Sequence, residues 1–510
     1  VCDSLPCVPL HEPWLRGLAF NPAAPADVLI RLMGQEAGEV GPLMCEGRDL
    51  PDAAVDAALN HPLEGIRRAL AVNRHGDLAR LAPLATDPSG VVRARFAHGP
   101  RGYFRQVRPL PDDILVTLLT ARDAGEDGKV TKDEIVAALD SSRQIPLSFF
   151  AALAGHADPE LRARATWRWH SLTPAQRAAL LDDPDPAVRE AAWKGNWALD
   201  AERMEAARLS FDGRDAWVLG MCALPPALVE RCFAEGAVEP LTLNPHTPAD
   251  ALARLARHPE ARIRALVAAR PDLEPDLVAV LTEDPDENVR MHIRIHPFPR
   301  TWAEYAAVRR VVGHGPDCPC PIGEPVTGPS PDWYAACAVS REPVLRRVAA
   351  TWPGLPAELA ETLARDEDEE VRIRLACHHP LAPPRLLLDV FVTRPAHRPH
   401  LLSLPAFPRD GWAHLIGHPD PEVRAMAAAD PALPEPPVED PDASVRRAAA
   451  ANPGLSPEAL ETLLADPRTA EGAAANPALP VHRMHALLDH CLNGATIPPA
   501  VVRRSTATST

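Results

Sequence analysis

The stretch Asp440-Pro441-Asp442-Ala443-Ser444-Val445-Arg446-Arg447-Ala448-Ala449-Ala450-Ala451-Asn452-Pro453-Gly454-Leu455-Ser456-Pro457-Glu458-Ala459-Leu460-Glu461-Thr462-Leu463-Leu464-Ala465-Asp466-Pro467 decides the fold. An Asp before Pro is a favourable helix N-cap, and Pro at the first helical position loses nothing by lacking an N–H. Val445, Ala448 and Ala449 recur at helical spacing and form a narrow stripe of small apolar side chains, which allows close approach of a neighbouring helix. Asn452-Pro453 ends that helix, because the residue before a proline is pushed out of the α region. Ser456-Pro457-Glu458 then caps a second helix, from Ala459 to Ala465, whose Leu460, Leu463 and Leu464 supply larger core residues. Asp466-Pro467 opens the next copy. A unit this small cannot bury its own apolar faces, so it must stack on others like it.

The same frame recurs along the chain. Its hydrophobic-Arg pairs place Arg67, Arg93, Arg162, Arg189, Arg264, Arg290, Arg346, Arg372, Arg424 and Arg446 in register. Arg67 to Arg93, Arg264 to Arg290 and Arg346 to Arg372 are steps of 26 residues, Arg162 to Arg189 is 27, and Arg424 to Arg446 is 22. A period of this size predicts an all-α solenoid of short helices, with roughly a dozen units in the available length. The recurring Asp and Arg are expected to bond between neighbouring units as ladders. Copies are too degenerate to read between residues 201 and 247 and between 391 and 412.

Composition agrees. Of the 510 residues, 46% are hydrophobic but only 5% aromatic, so the core must be built of Ala, Leu and Val. The 59 prolines would break long helices or a sheet, yet they suit short helices interrupted at every turn. Lysine is confined to Lys129, Lys132 and Lys194 while arginine is plentiful, which points to GC-rich coding of a bacterial kind. A formal net charge of −16 disfavours a nucleic acid partner unless arginines segregate on one face. Trp167-Arg168-Trp169-His170 interleaves aromatic and basic residues; stacking on a nucleobase and packing at a unit junction are the two readings. There is no run of 18 apolar residues, and Val1 to Pro9 lacks the pattern of a signal peptide, so a cytoplasmic protein without membrane contact is expected.

The pattern V-R-x-x-x-A-x-N-P-x-L-x-x-E-x-L-x-x-L-L-x-D-P, most complete from Val445 to Pro467, resembles the leucine-rich repeat variant family and also HEAT-type repeats. The resemblance implies a right-handed all-helical superhelix, in the variant family with alternating α and 3₁₀ segments, and no particular chemistry. The expected organisation is an N-terminal array over 1–311, a Pro/Gly-rich interruption over 312–331, a C-terminal array over 332–480, and a capping helix with a tail over 481–510.

Three local features could carry chemistry. Asp123-Ala124-Gly125-Glu126-Asp127-Gly128-Lys129-Val130-Thr131-Lys132-Asp133-Glu134 resembles an EF-hand calcium loop, with Asp123, Asp127 and Glu134 at ligand positions and Gly128 at the sharp turn. Residues 112–122 and 133–139 would be its flanking helices within an insertion near 112–140. Gly125 stands where a third ligand is usual, and no second loop exists to pair with it. The other reading is a solvated acidic insertion followed by a capping box, Thr131 to Glu134. Second, His314 with Cys318 and Cys320 could donate to zinc, completed by Cys337 or by Cys377-His378-His379, though nothing in the spacing demands it. Third, Cys2 and Cys7 sit where some variant-repeat proteins carry an iron–sulfur module, but with Cys45 far off a four-thiolate cluster is not supported. Cys222, Cys232, Cys337, Cys377 and Cys491 are expected as free thiols within or beside repeat helices.

Gly-x-Ser-x-Gly, His-Glu-x-x-His, P-loop and dinucleotide fingerprints are all absent from the sequence. The acidic run Glu367-Asp368-Glu369-Glu370 is expected to cap a helix. These readings converge on a non-enzymatic scaffold that binds a protein or peptide partner, with calcium as a modulator. The alternative is a HEAT-like repeat enzyme, of lyase or nucleobase-processing type, whose site is dispersed over several units.

Overall fold

In the computed structural model, the described residues are 10–100, 109–121, 130–142, 144–211, 215–299, 301–312 and 329–493, and among them no strand occurs. Short helices follow one another in pairs, joined by turns rich in Pro, Asn and Asp. They divide into two compact units, one formed by Val1–Gly102, Val107–Ile145 and Pro408–Thr510, the other by Tyr103–Gln106 and Pro146–Phe407. The architecture is a stack of helical repeats, as the period requires.

The quoted stretch forms the helices Ala443–Ala450 and Pro457–Leu464. Val445, Ala449 and Ala450 are fully buried, and Leu460 and Leu464 nearly so. Ser456 caps the second helix by accepting from the Ala459 N–H. The cap of the first helix differs from the sequence expectation by two residues. Asp442 caps it, accepting from the N–H groups of Ser444 and Val445 at 2.8 and 3.4 Å. Asp440, expected as the cap, is held instead by Arg424 of the preceding unit, Nε at 3.1 Å and Nη2 at 3.2 Å. The same displacement occurs at Asp183, where Asp185 caps the helix Pro186–Asn196, and at Asp284, where Asp286 caps the helix Glu287–Ile295.

The Asp/Arg ladder is therefore a forward link between units. Arg67 binds Asp87, Arg162 binds Asp183, Arg264 binds Asp284 and Arg346 binds Asp366, each through Nε and Nη2. These planar two-point contacts are specific to guanidinium. The Nη1 group of the same arginine ties down the turn ahead of its own helix, as Arg264 does with the carbonyls of His258 and Pro259. Hydrogen bonds from Arg162, Arg264 and Arg424 hold the carboxyls of Asp183, Asp284 and Asp440 below the usual carboxylate range.

A second ladder runs through asparagines. Asn452, fully buried, donates from Nδ2 to the carbonyls of Ala428 and Asp430, both at 2.8 Å. Those carbonyls end the first helix of the preceding unit, where no intrahelical donor remains. Asn476 does the same with Ala450 and Asn452, Asn244 with Leu219 and Cys222, and Asn73 with Cys45 and Arg48.

In the first unit this ladder passes from the last repeats to the first. Asn21 donates to the carbonyls of Ala474 at 2.9 Å and Asn476 at 2.6 Å, and the helix His11–Phe20 packs on Ala470–Ala474. Arg48 then donates to the carbonyls of Ala19 and Asn21, continuing the row toward Asn73. The second unit has a core of small and medium residues, from Leu228, Cys232 and Leu241 through Leu255 and Val267 to Leu281 and Val289. This matches the low aromatic content.

Candidate interaction surface

Large side chains left in water on a repeat array are the first places to look for contact with another molecule. Trp167 is 60% exposed and Trp193 47%. Trp167 lies in the 3₁₀ segment Thr166–Ser171, which follows the helix Pro159–Ala165. Trp193 lies in the helix Pro186–Asn196, and both of the preceding segments pack against that helix. Each indole carries a guanidinium on its face: Arg164 lies 4.2 Å from the Trp167 ring and Arg203 4.9 Å from the Trp193 ring. Such a pair holds a broad aromatic surface in one orientation while leaving one face for a partner.

Trp169, two residues on, behaves differently. It is 2% exposed, its indole N–H donates to Asn196 Oδ1 at 3.3 Å, and its ring fills the space above Gly195, where a Cβ would lie 3.2 Å away. Packing at a unit junction accounts for Trp169. Further along the same unit, Arg231 lies over Phe211 at 5.2 Å and Arg254 over Phe233 at 3.6 Å, so that arginine–aromatic contacts tie successive repeats together. Arg254 is also bound to Glu230.

Two further groupings of reactive side chains among the described residues are engaged in structural contacts. A shallow, open cavity of about 380 Å³ is lined by Leu59, His61, Arg67, Leu84, Asp87 and Pro88. Its two charged groups are the forward pair Arg67–Asp87, closed at 2.7 Å. Near the end of the helix Glu369–His378, Cys377 Sγ lies 3.7 Å from His397 Nδ1, and the Cys377 carbonyl is 2.5 Å from His400 Nε2. Burial pushes the Cys377 thiol up to about 12 and the His378 imidazole down to about 3, the latter with the help of His400 and Arg374. A thiol so disposed stays protonated at neutral pH and is a poor nucleophile.

The sequence-predicted site residues fall as follows. Asp123 and Asp127 lie outside the described residues. Glu134 is described, and its carboxylate accepts from the Thr131 N–H at 2.7 Å and Thr131 hydroxyl at 3.1 Å, while Thr131 Oγ1 accepts from the Glu134 N–H. This capping box opens the helix Lys132–Ser141, and its bonds hold the Glu134 carboxyl below its ordinary range. The helix Asp112–Thr120 precedes the loop. His314, Cys318, Cys320, Cys2 and Cys7 also lie outside the described residues. Cys45, Cys222, Cys232, Cys337 and Cys377 are buried free thiols, and Cys491 is a free, half-buried one. Among the described residues no group of three or more His, Cys, Asp or Glu is arranged to hold a metal ion. Asp368 caps its helix as expected by accepting from the Val371 N–H. No described helix is long and apolar enough to cross a membrane.

No curated protein matches this chain. Residues 443–468, the unit built on Asp442, Asn452 and Ser456, match the model of the leucine rich repeat variant family, and that family's repeat is the one the chain carries there.

Proposed function

We propose that this chain is a repeat scaffold that binds a protein or peptide partner, and that Trp167 and Trp193 anchor the contact. The observation that carries the reading is Trp167, 60% exposed yet oriented by Arg164 at 4.2 Å. An ordered, solvated indole beside a guanidinium has the composition of an interface hot spot. The stacked array supports it too: units locked by Asp/Arg and Asn ladders lose little freedom on binding, so little affinity is spent on ordering.

Calcium enters this reading as a modulator at Asp123, Asp127 and Glu134. Glu134 would have to leave its capping box with Thr131 to close a calcium loop, which couples ion binding to the start of the helix Lys132–Ser141.

The test uses a photo-crosslinking amino acid placed at 167, at 193, and at exposed Val339 as a control. A species that crosslinks from 167 and 193 but not from 339, and that is lost from the 193 crosslinker when Trp167 is alanine and from the 167 crosslinker when Trp193 is alanine, supports the reading. Equal labelling from all three positions would overturn it.

A further inference from the structure

The joint between the helices His11–Phe20 and Ala470–Ala474 repeats the close approach and the asparagine bonds of the internal joint before it. In the helix Ala470–Ala474, a Cβ on Gly472 would overlap the carbonyl oxygen of Arg447 and lie 2.9 Å from the Cβ of Ala450. In the helix His11–Phe20, a Cβ on Gly17 would overlap the carbonyl oxygen of Glu471 and lie 2.5 Å from the Cβ of Ala474. Glu471 and Ala474 each follow Arg447 and Ala450 by 24 residues. Gly17 thus stands in the place of Gly472, one repeat further on. Asn21 likewise stands in the place of Asn476, with the same pair of carbonyl acceptors.

Side chains close the rest of the joint. The Trp14 indole N–H donates to the Leu464 carbonyl at 2.9 Å. Arg31 binds Asp489 at 2.6 Å and His485 Nδ1 at 3.2 Å, and His485 Nε2 lies 3.1 Å from Asp27. These partners are between 450 and 458 residues apart in sequence.

The two faces are complementary but unlike each other, one built on Gly17 and Asn21, the other on Ala474 and Asn476. Internal joints are backed by a short covalent turn; this one is held by non-covalent contacts alone. If it opens, each face is left with unmet backbone carbonyls or asparagine donors, and a second copy of the chain presents the opposite face with every contact already matched. Exchange of identical contacts between copies needs no new surface.

We infer that this joint is an exchangeable clasp: within one chain it holds the first repeat on the last, and between chains the same two faces join the head of one copy to the tail of another.

The experiment pairs two full-length variants, each with one face blocked. Gly17→Leu fills the close approach from the N-terminal side and Ala474→Leu from the C-terminal side, so neither variant can form the joint with itself. Mixed at equal amounts, the intact tail of the Gly17→Leu chain meets the intact head of the Ala474→Leu chain. Light scattering after size exclusion is expected to show each variant at the mass of one chain, 55.1 kDa, and the mixture at twice that mass. A mixture that stays at single-chain mass, with wild-type helicity in both variants, overturns the inference. Should either variant lose helicity, the surface pair Arg31→Glu and Asp489→Arg replaces it. Like charges then oppose the joint in each variant alone, and opposite charges restore it in the mixture. Here too a dimer confined to the mixture supports the clasp, and its absence overturns it.

Discussion

The carboxylate of Asp284 receives two guanidinium bonds from Arg264, Nε at 2.7 Å and Nη2 at 2.9 Å, so the first residue of one repeat is positioned by the repeat before it. Both side chains are largely buried, at 13% and 6% exposure. Arg290, from the following helix, donates to the Asp284 backbone carbonyl. One aspartate is thereby gripped from both directions.

Removing that grip should be costly. Asp284→Ala leaves the Arg264 guanidinium buried without its partner and is expected to lower unfolding stability by about 2 to 4 kcal/mol in urea titration. Arg264→Lys should fall in the same range, because an ammonium cannot span both oxygens and both turn carbonyls at once. A loss below about 0.5 kcal/mol in either variant would contradict the structural role.

Asn452→Ala and Asn452→Asp test the second ladder. Alanine removes the donor to the Ala428 carbonyl in the core and leaves the Asp430 carbonyl with the Leu433 N–H alone, and it should destabilise by about 2 to 3 kcal/mol. Aspartate, which keeps the shape but turns two donors into acceptors facing carbonyls, should be worse. Equal stability of the two variants would show that volume rather than donation matters at this position.

Trp167 and Trp169 should separate binding from folding. Trp169→Ala empties a buried junction and is expected to cost about 3 to 5 kcal/mol. Trp167→Ala should stay within about 0.5 kcal/mol of wild type while abolishing the crosslinked partner. Thermal melts and crosslinking on the same preparations check both halves.

Stability should also fall between pH 6.5 and 4 through His292. Burial, with Arg309 nearby, pushes this imidazole down to about 4. An unfolded histidine titrates near 6.5, so below that pH the unfolded chain takes up a proton that the folded one refuses. The contribution is complete above pH 6.5 and is lost as pH falls, amounting to about 3 kcal/mol at pH 4. His292→Leu should flatten the stability profile over this interval; an unchanged slope would exclude His292 as its source.

In the proposed reading, calcium would have to compete with the capping box for Glu134. Calorimetric titration of the wild-type chain is expected to give saturable calcium binding that Glu134→Gln abolishes. Thr131→Ala, which removes the hydroxyl that engages the carboxylate, should tighten it. No heat in any of the three proteins would leave Thr131–Glu134 as a helix cap alone.

The periodic part of this architecture was legible because Asp-Pro and Val-Arg recur at a near-constant step and each has a local reason to be there. Asp440 was misplaced as a cap because its actual partner, Arg424, belongs to another repeat, and a capping rule sees only the next few residues. Asn452 was hidden for the opposite reason: a helix end before proline already explains it locally, which conceals its donation to Ala428 and Asp430. In the degenerate stretch over 201–247, Asn244 preserves that donation although the surrounding pattern has faded. Trp167 and Trp169 could not be told apart from sequence, since the 3₁₀ segment that carries them follows neither helical nor strand periodicity. Asn21-Pro22 carries the same Asn-Pro signature, but nothing in it reveals that its acceptor Ala474 lies 453 residues away.

That joint also sets the order in which the protein can be completed during synthesis. A ribosome adding about 5 to 20 residues per second needs on the order of half a minute to a minute and a half to travel the distance from Asn21 to Ala474. Throughout that interval the partners of Trp14 and Asn21 have yet to be made, and the helix His11–Phe20 lacks the helix on which it packs.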